Sequence, residues 1–383
     1  MLSNFVRLSN GYFWYFAVLG LAMPFLAVFL EGRGFNSRQI GELLAIFTAT
    51  KIIGPSFWAF FADKTGKQLV VIQVASTLAM VSFFGLFFVD GYWPIAVVLA
   101  LFSLFWTGML PQLEVLTLHS MRKSAKFYAR IRLWGSLGFI ALAVIAGEVM
   151  ASHGSETFIL LGLVVLIGLW LSTLLMRDKK GQSDSGANAN SMLSLLMSRN
   201  FILFFVAGLL LQVSFGPYYS FFALYIRDLG HPSYAVGLLI GVSVVVEVAT
   251  FILAGRIFKR FSVYHILVFS FLTTALRWLL MGYWGEHIAL LVVTQLIHAA
   301  SYALYHSASM QFIQHHFLAN QQNRAQALYI SGVYGVGGAI GAYAAGLLWL
   351  DGDGLTQTHV AAAITALLAG VISLGLNQKQ LAS

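Results

Sequence analysis

Six ionisable residues lie inside otherwise apolar stretches of this chain: Lys51, Glu114, Arg132, Glu247, Arg277 and His298. Ionisable groups in a hydrocarbon layer are costly and mark substrate or ion pathways. The stretch Pro111–Gly138, PQLEVLTLHSMRKSAKFYARIRLWGSLG, holds the best-matched pair. Glu114 and Arg132 each lie nine residues from Lys123, in a basic turn that also holds Arg122 and Lys126. Two antiparallel helices around that turn put both charges at one depth, up to roughly 13 Å in at the helical rise. Such a pair reads as an ion pair locking two helices or as a substrate clamp. Removing one partner of a buried pair is severe. A substrate that replaces that partner with its own hydrogen bonds makes the exchange feasible, and arginine offers a planar fork for bidentate contact.

Lys51 sits twelve residues before the nearest loop, about 18 Å along a helix, and must face a wet cavity or an acid. Glu247, within VVVEVATF, is a carboxyl whose protonation can follow access to a cavity and suits a proton carrier. Arg277 and His298 flank the turn at Glu286–His287 at similar depths, and histidine titrates near neutral pH. His306, His315 and His316 lack acid or cysteine at ligand spacing, so neither a metal nor another cofactor is expected. Tyr15 and Gln212, at corresponding depths of the two halves, are further candidates for substrate contact. Three buried cations (Lys51, Arg132, Arg277) against two acids (Glu114, Glu247) favour a small anionic substrate.

The elements that must carry these residues follow from composition. Only 9% of the 383 residues are charged and 59% are hydrophobic, against about 25% charged in soluble domains. The chain reads as an all-α integral membrane protein. Apolar runs long enough to span a bilayer occur at 11–30, 39–62, 69–89, 92–118, 129–151 and 156–176. They resume at 201–226, 234–256, 264–284, 287–314, 325–350 and 358–376. This predicts twelve transmembrane helices in two six-helix bundles, 1–176 and 201–383, joined by a polar cytoplasmic linker over 177–200. The first run, followed by Glu31, Gly32 and Arg33, reads as a retained span and not a cleaved signal. With the amino terminus inside, sixteen Lys and Arg fall on the inner side against Arg33, Arg38 and Arg227 outside. The net charge of +8 thus reports topology, with both termini cytoplasmic, and no nucleic-acid partner. Shifting by 196 (259 − 63) maps Asp63 onto Lys259, Lys64 onto Arg260 and Lys51 onto Glu247, as in parallel repeats.

The loop after the second span, Ala59, Asp63, Lys64, Gly66 and Lys67, resembles the G-x-x-x-D-[RK]-x-G-[RK] hallmark of the major facilitator superfamily, with Ala in the first position. With the 6+6 division and a degenerate copy at Lys259 and Arg260, the resemblance covers the whole chain. It implies a pseudo-symmetric two-bundle fold working as a monomer in the bilayer, and gating roles for Asp63, Lys64, Gly66, Lys67, Lys259 and Arg260. MPFLAVFL, the eighteen-residue step from Glu114 to Arg132 and the run Arg130–Gly135 resemble the lactose-permease-like branch, where that pair binds sugar. Arg277 and His298 resemble its coupling residues, but the acid expected three residues after the histidine is Ser301, and a lysine before it is Gln295. RLWGSLGF, the second-span lysine and Glu247 fit the phenylpropionate permeases best.

The expectation is a proton-coupled symporter of the bacterial inner membrane, taking up a small organic anion such as an aromatic carboxylate. Alternating access would act on a midplane site. The rival is a neutral sugar or nucleoside symporter, since Glu and Arg also suit hydroxyls. Efflux is disfavoured because Gly135 and Gly138 occur in span 5 without proline. An enzyme is disfavoured for want of a catalytic set, and a non-transporting sensor of the same fold remains a further alternative.

Overall fold

The structure is a computed structural model and describes residues 2–120, 125–177, 190–318 and 320–378. Arg122 and Lys123 of the basic turn, and residues 178–189 of the expected linker, lie outside these. Among the described residues, eleven helices are long and apolar enough to cross a membrane. The chain divides into two units.

The first unit contains α1 (Leu2–Gly32), α2 (Ser37–Thr65), α3 (Gln68–Phe84), α4 (Tyr92–Thr107), α5 (Met109–Ser120), α6 (Ala125–His153) and α7 (Thr157–Leu175). Apolar helices gain little from burial against one another in lipid, so close backbone approach must hold them. Glycine supplies it where α1 crosses α6. A Cβ on Gly138 would stand 2.1 Å from the Phe13 carbonyl oxygen, and one on Gly20 2.3 Å from that of Phe139. Gly138→Ala is therefore expected to destabilise the bundle by about 1–3 kcal/mol. A lower melting temperature of the detergent-solubilised protein checks it, and an unchanged one would show that the crossing is slack. α2 is held to α4 by polar contacts instead: Thr50 Oγ1 donates to Ser103 Oγ at 2.6 Å, and Trp58 Nε1 donates to the Leu104 carbonyl at 3.1 Å.

At the other end of this unit Arg33 fastens three loops. It donates to both carboxylate oxygens of Glu156, to Asp90 at 2.9 Å and to the Val89 carbonyl at 3.0 Å. The Glu156 carboxylate raises the guanidinium's affinity for its proton. At the end bearing Asp63, Gly66 caps α2 in the left-handed region (φ 65°), its N–H donating to the Ala62 carbonyl at 2.8 Å. Only glycine adopts that conformation at little cost, which accounts for the glycine of the loop motif.

The linker is not wholly irregular: α8 (Asn190–Leu196) forms within it. His316 Nε2 meets the Leu195 carbonyl at 3.1 Å and Ser198 Oγ at 3.0 Å, and so ties α8 to the second unit. The expected single span over 201–226 is instead three helices, α9 (Arg199–Ser214), α10 (Gly216–Ser220) and α11 (Phe222–Asp228). Pro217 lacks the N–H that would continue α9, which favours a break there. Gly216 lies against Gly341, with 2.1 Å from a would-be Cβ to its carbonyl oxygen. Residues 220–227 and 232–238 cluster with the first unit and not with the second.

The second unit continues with α12 (Tyr234–Ile257) from Leu239 onward, α13 (Val263–Trp284), α14 (Ile288–His298), α15 (Tyr305–His316), α16 (Gln322–Tyr329), α17 (Gly338–Trp349) and α18 (Leu355–Ser373). Two stretches wind as π-helix, Ala299–Leu304 and Ile330–Gly337, each inside a continuous span. Such turns are rare and gather at functional sites. A buried core of Phe204 stacked on Phe312 (4.0 Å) and Tyr329 (5.1 Å) joins α9 to α15 and α16. There Tyr305 and Tyr329 share a hydroxyl contact, and Tyr329 donates to Ser309 at 3.0 Å.

Candidate functional site

In the first unit, α5 presents Glu114 and α6 presents Arg132, both half-buried. They do not form the expected ion pair: among the described residues no carboxylate oxygen lies within 4.0 Å of Arg132. Tyr128 Oη donates to Glu114 Oε1 at 3.1 Å. The Arg132 guanidinium lies over the Phe16 ring, 3.9 Å from its centroid, and 6.0 Å from that of Tyr12. A Cβ on Gly135 would stand 2.6 Å from the Phe16 ring, so this glycine makes the room for the platform. Arg132 remains near enough to act on Glu114 through space. The arrangement is an open fork, with Arg132 over the Phe16 ring and its donors free of carboxylates among the described residues.

Lys51, on α2, is half-buried and makes no hydrogen bond or ion pair with the described residues. An unpaired ammonium inside an apolar helix needs water or an anion. Tyr15 lies deeper, buried and stacked on Trp106 at 5.2 Å, so its ring packs the core and does not face a half-buried surface. Asp63, Lys64 and Lys67 are exposed at the α2–α3 turn, where Lys64 Nζ lies 5.8 Å from the Phe60 centroid. Lys259 and Arg260 are exposed at the turn after α12.

The second unit brings Arg277, His298 and Glu247 into one cluster. Arg277 is wholly buried, at 0% exposure. Its Nη1 lies 3.0 Å from His298 Nδ1 and its Nη2 donates to Gln295 Oε1 at 3.3 Å. The guanidinium lies 4.2 Å from the Tyr218 ring centroid and 4.6 Å from that of Trp278. Because arginine only donates, Nδ1 of His298 must accept, which leaves the proton of the neutral ring on Nε2. That nitrogen faces Glu247 Oε2 at 3.8 Å, just beyond hydrogen-bond length. Glu247 therefore groups with Arg277 and His298. Gln295 Oε1 also accepts from Tyr218 Oη at 2.9 Å and Ser243 Oγ at 2.7 Å. Gln212 is buried beside Gly337, its Cβ 3.1 Å from a would-be Cβ there, and its amide bonds to none of the described residues.

Sequence spacing missed the partners. Tyr128 lay hidden in the basic turn, Phe16 in a run of five aromatics, and Gln295 stood out only as a departure from the resembled branch. A buried glutamine three residues before a histidine on an apolar helix was the available signal.

Chemically, Lys51 and Arg132 can each stabilise an anion, and Glu247 and His298 are groups able to carry a proton. The profile of the MFS_1 like family matches residues 5–361. A probable 3-phenylpropionic acid transporter of Escherichia coli K12 is 27% identical, the match covering 89% of this chain and 90% of the relative. A maltose permease of Geobacillus stearothermophilus is 28% identical, covering 87% and 83%. Among solved structures, the nucleoside transporter NupG superposes with a TM-score of 0.84 at 16% identity, covering 97% of each chain.

Proposed function

As a member of the MFS_1 like family this chain is a multi-pass membrane transporter, and we propose that it takes up a small aromatic carboxylate together with a proton. The observation that carries this reading is that Lys51 and Arg132 of the first unit each have no carboxylate within 4.0 Å among the described residues. A desolvated cation is stabilised by an anion far more than by a neutral ligand, and Arg132 can give a bidentate contact to a carboxylate. The relative named for 3-phenylpropionic acid supports the aromatic part. Glu247 acts as the proton carrier, with His298 and Arg277 setting its surroundings. Asp63, Lys64, Gly66 and Lys67 with Lys259 and Arg260 act as gates between the access states of two six-helix bundles. The excess of inner lysine and arginine supports an inner-membrane protein with both termini in the cytoplasm.

Uptake of radiolabelled 3-phenylpropionate into proteoliposomes tests this reading. An imposed inward proton gradient is expected to drive accumulation above the external level. Accumulation that ignores the gradient would remove the proton from the scheme. A neutral sugar or nucleoside is the second reading, favoured by Glu114, whose Oε2 has no donor among the described residues and can accept from a hydroxyl. A thermal-shift screen of carboxylates against maltose and adenosine separates the two by which class stabilises the protein.

A further inference from the structure

The second unit holds a buried polar side chain to which the transport scheme above gives no task. Gln295, on α14, is wholly buried. The neighbouring Thr294 hydroxyl donates to the Leu291 carbonyl at 2.7 Å, so its oxygen is left to accept from Gln295 Nε2 at 3.0 Å. That bond fixes which end of the amide turns toward the other helices. Gln295 Oε1 accepts from Ser243 Oγ at 2.7 Å, Tyr218 Oη at 2.9 Å and Arg277 Nη2 at 3.3 Å. One neutral oxygen thus gathers donors from α10, α12 and α13. Tyr218, Ser243, Glu247, Arg277, Gln295 and His298 all belong to the second unit.

The position asks for an acceptor that carries no charge. An apolar residue would strand buried donors, which costs more than the bonds contribute when made. A lysine would set a second cation against Arg277, and a glutamate would neutralise it on the spot. Glutamine satisfies Nη2 and leaves the positive charge to be balanced further along, since among the described residues no carboxylate lies within 4.0 Å of Arg277. The other fork nitrogen, Nη1, meets His298 Nδ1 at 3.0 Å, and Nε2 of that ring faces Glu247 at 3.8 Å. The same amide oxygen bears on Glu247 from a second side. Ser243 and Glu247 are four residues apart on α12 and share a face, as do Gln295 and His298, three apart on α14. Ser243–Gln295 and Glu247–His298 are therefore two rungs of one ladder between these helices.

We infer that Gln295 is a positioning residue of the coupling site: it holds Arg277 against His298 Nδ1 and α12 in register, so that His298 presents a hydrogen on Nε2 to Glu247. This rests on the reading of Glu247 as the proton carrier. A hydrogen fixed on Nε2 donates more strongly to a carboxylate than to a neutral acid, so the contact distinguishes the loaded carrier from the empty one.

The test uses the purified full-length protein in liposomes and two readouts. In 15N NMR of histidine-labelled protein, the His298 signals are those missing from His298→Gln, and they report which ring nitrogen carries the hydrogen. The wild type is expected to show the Nε2–H form alone. Gln295→Met, similar in size but without the acceptor, should populate Nδ1–H as well. Gln295→Glu, which keeps an acceptor oxygen, should retain the wild-type form. Gradient-driven accumulation of 3-phenylpropionate should fall about tenfold in Gln295→Met while exchange stays within about twofold of the wild type. A general loosening of the fold would lower both. Ser243→Ala, which removes one donor and strands none, should show the same split more weakly and stands in if Gln295→Met does not fold. An unchanged His298 tautomer in the folded variant, or accumulation and exchange that fall together, overturns the positioning role. A wild type that does not accumulate 3-phenylpropionate under the gradient overturns the carrier reading instead, and the tautomer then decides by itself whether Gln295 positions His298.

Discussion

Replacing Glu247 by glutamine is expected to abolish proton-driven accumulation while leaving exchange of internal for external substrate intact. The amide matches the carboxyl in shape and still offers a carbonyl oxygen to His298 Nε2, which now faces Glu247 Oε2 at 3.8 Å. What it loses is the ability to take up and release a proton. One proton carried per substrate across a gradient of two pH units supplies about 2.7 kcal/mol, or about hundredfold accumulation. The variant should therefore fall from that level to equilibration across the membrane. Exchange needs only substrate-loaded reorientation, and the binding cations of the first unit are untouched. If the variant accumulates as the wild type does, Glu247 is not the carrier. If exchange also disappears, the carboxylate is needed to balance the wholly buried Arg277 and its role is structural.

The identity of this acid shows where sequence reading stops. The bilayer compels every backbone group to bond within its own segment, so composition and run length announce the spans without any packing information. The same logic exposed the Asp63–Lys67 loop, where the left-handed conformation of Gly66 (φ 65°) requires its residue type. Depth was legible too: equal spacing about a turn correctly brought Arg277 to His298. Spacing gives position along a helix axis but not rotation about it. Glu114 and Arg132, matched in depth by the same argument, face different partners, Tyr128 and the Phe16 ring. For Glu247 the 196-residue repeat gives only the position equivalent to Lys51, and the side it faces, toward His298, follows from the rotation of α12. The π-helical turn at Ala299–Leu304 has no signature in apolar periodicity, because both windings leave an apolar face on a lipid-bathed helix. The break of the seventh span had its cue in Gly216 and Pro217, yet an uninterrupted apolar run outweighs such a cue when only hydropathy is counted.

Arg132→Lys is expected to weaken binding of an aromatic carboxylate about thirty- to hundredfold, although the charge is kept. The guanidinium rests 3.9 Å from the Phe16 centroid, a contact on the order of 1 kcal/mol that orients its fork. A lysine ammonium is a compact, strongly hydrated charge that cannot give two parallel hydrogen bonds to one carboxylate. Loss of one charge-assisted bond adds about 1.5 kcal/mol, for a total of about 2–3 kcal/mol at 1.4 kcal/mol per factor of ten. Phe16→Leu isolates the stacking part and should cost about fivefold, the charge and fork remaining but less firmly held. Titration calorimetry with 3-phenylpropionate reads both. Glu114→Gln decides what the acid beside the fork does. As a helix lock it would hold Arg132 in place, and its loss should lower the melting temperature with little change in affinity. As a hydroxyl acceptor for the sugar or nucleoside of the second reading, its loss should lower that ligand's affinity at constant stability, whereas beside a bound carboxylate its negative charge opposes binding. The structure disfavours the helix lock, because among the described residues no carboxylate lies within 4.0 Å of Arg132. Wild-type affinity in Arg132→Lys would move the carboxylate away from Arg132, leaving Lys51 as the cation of the first unit that receives it.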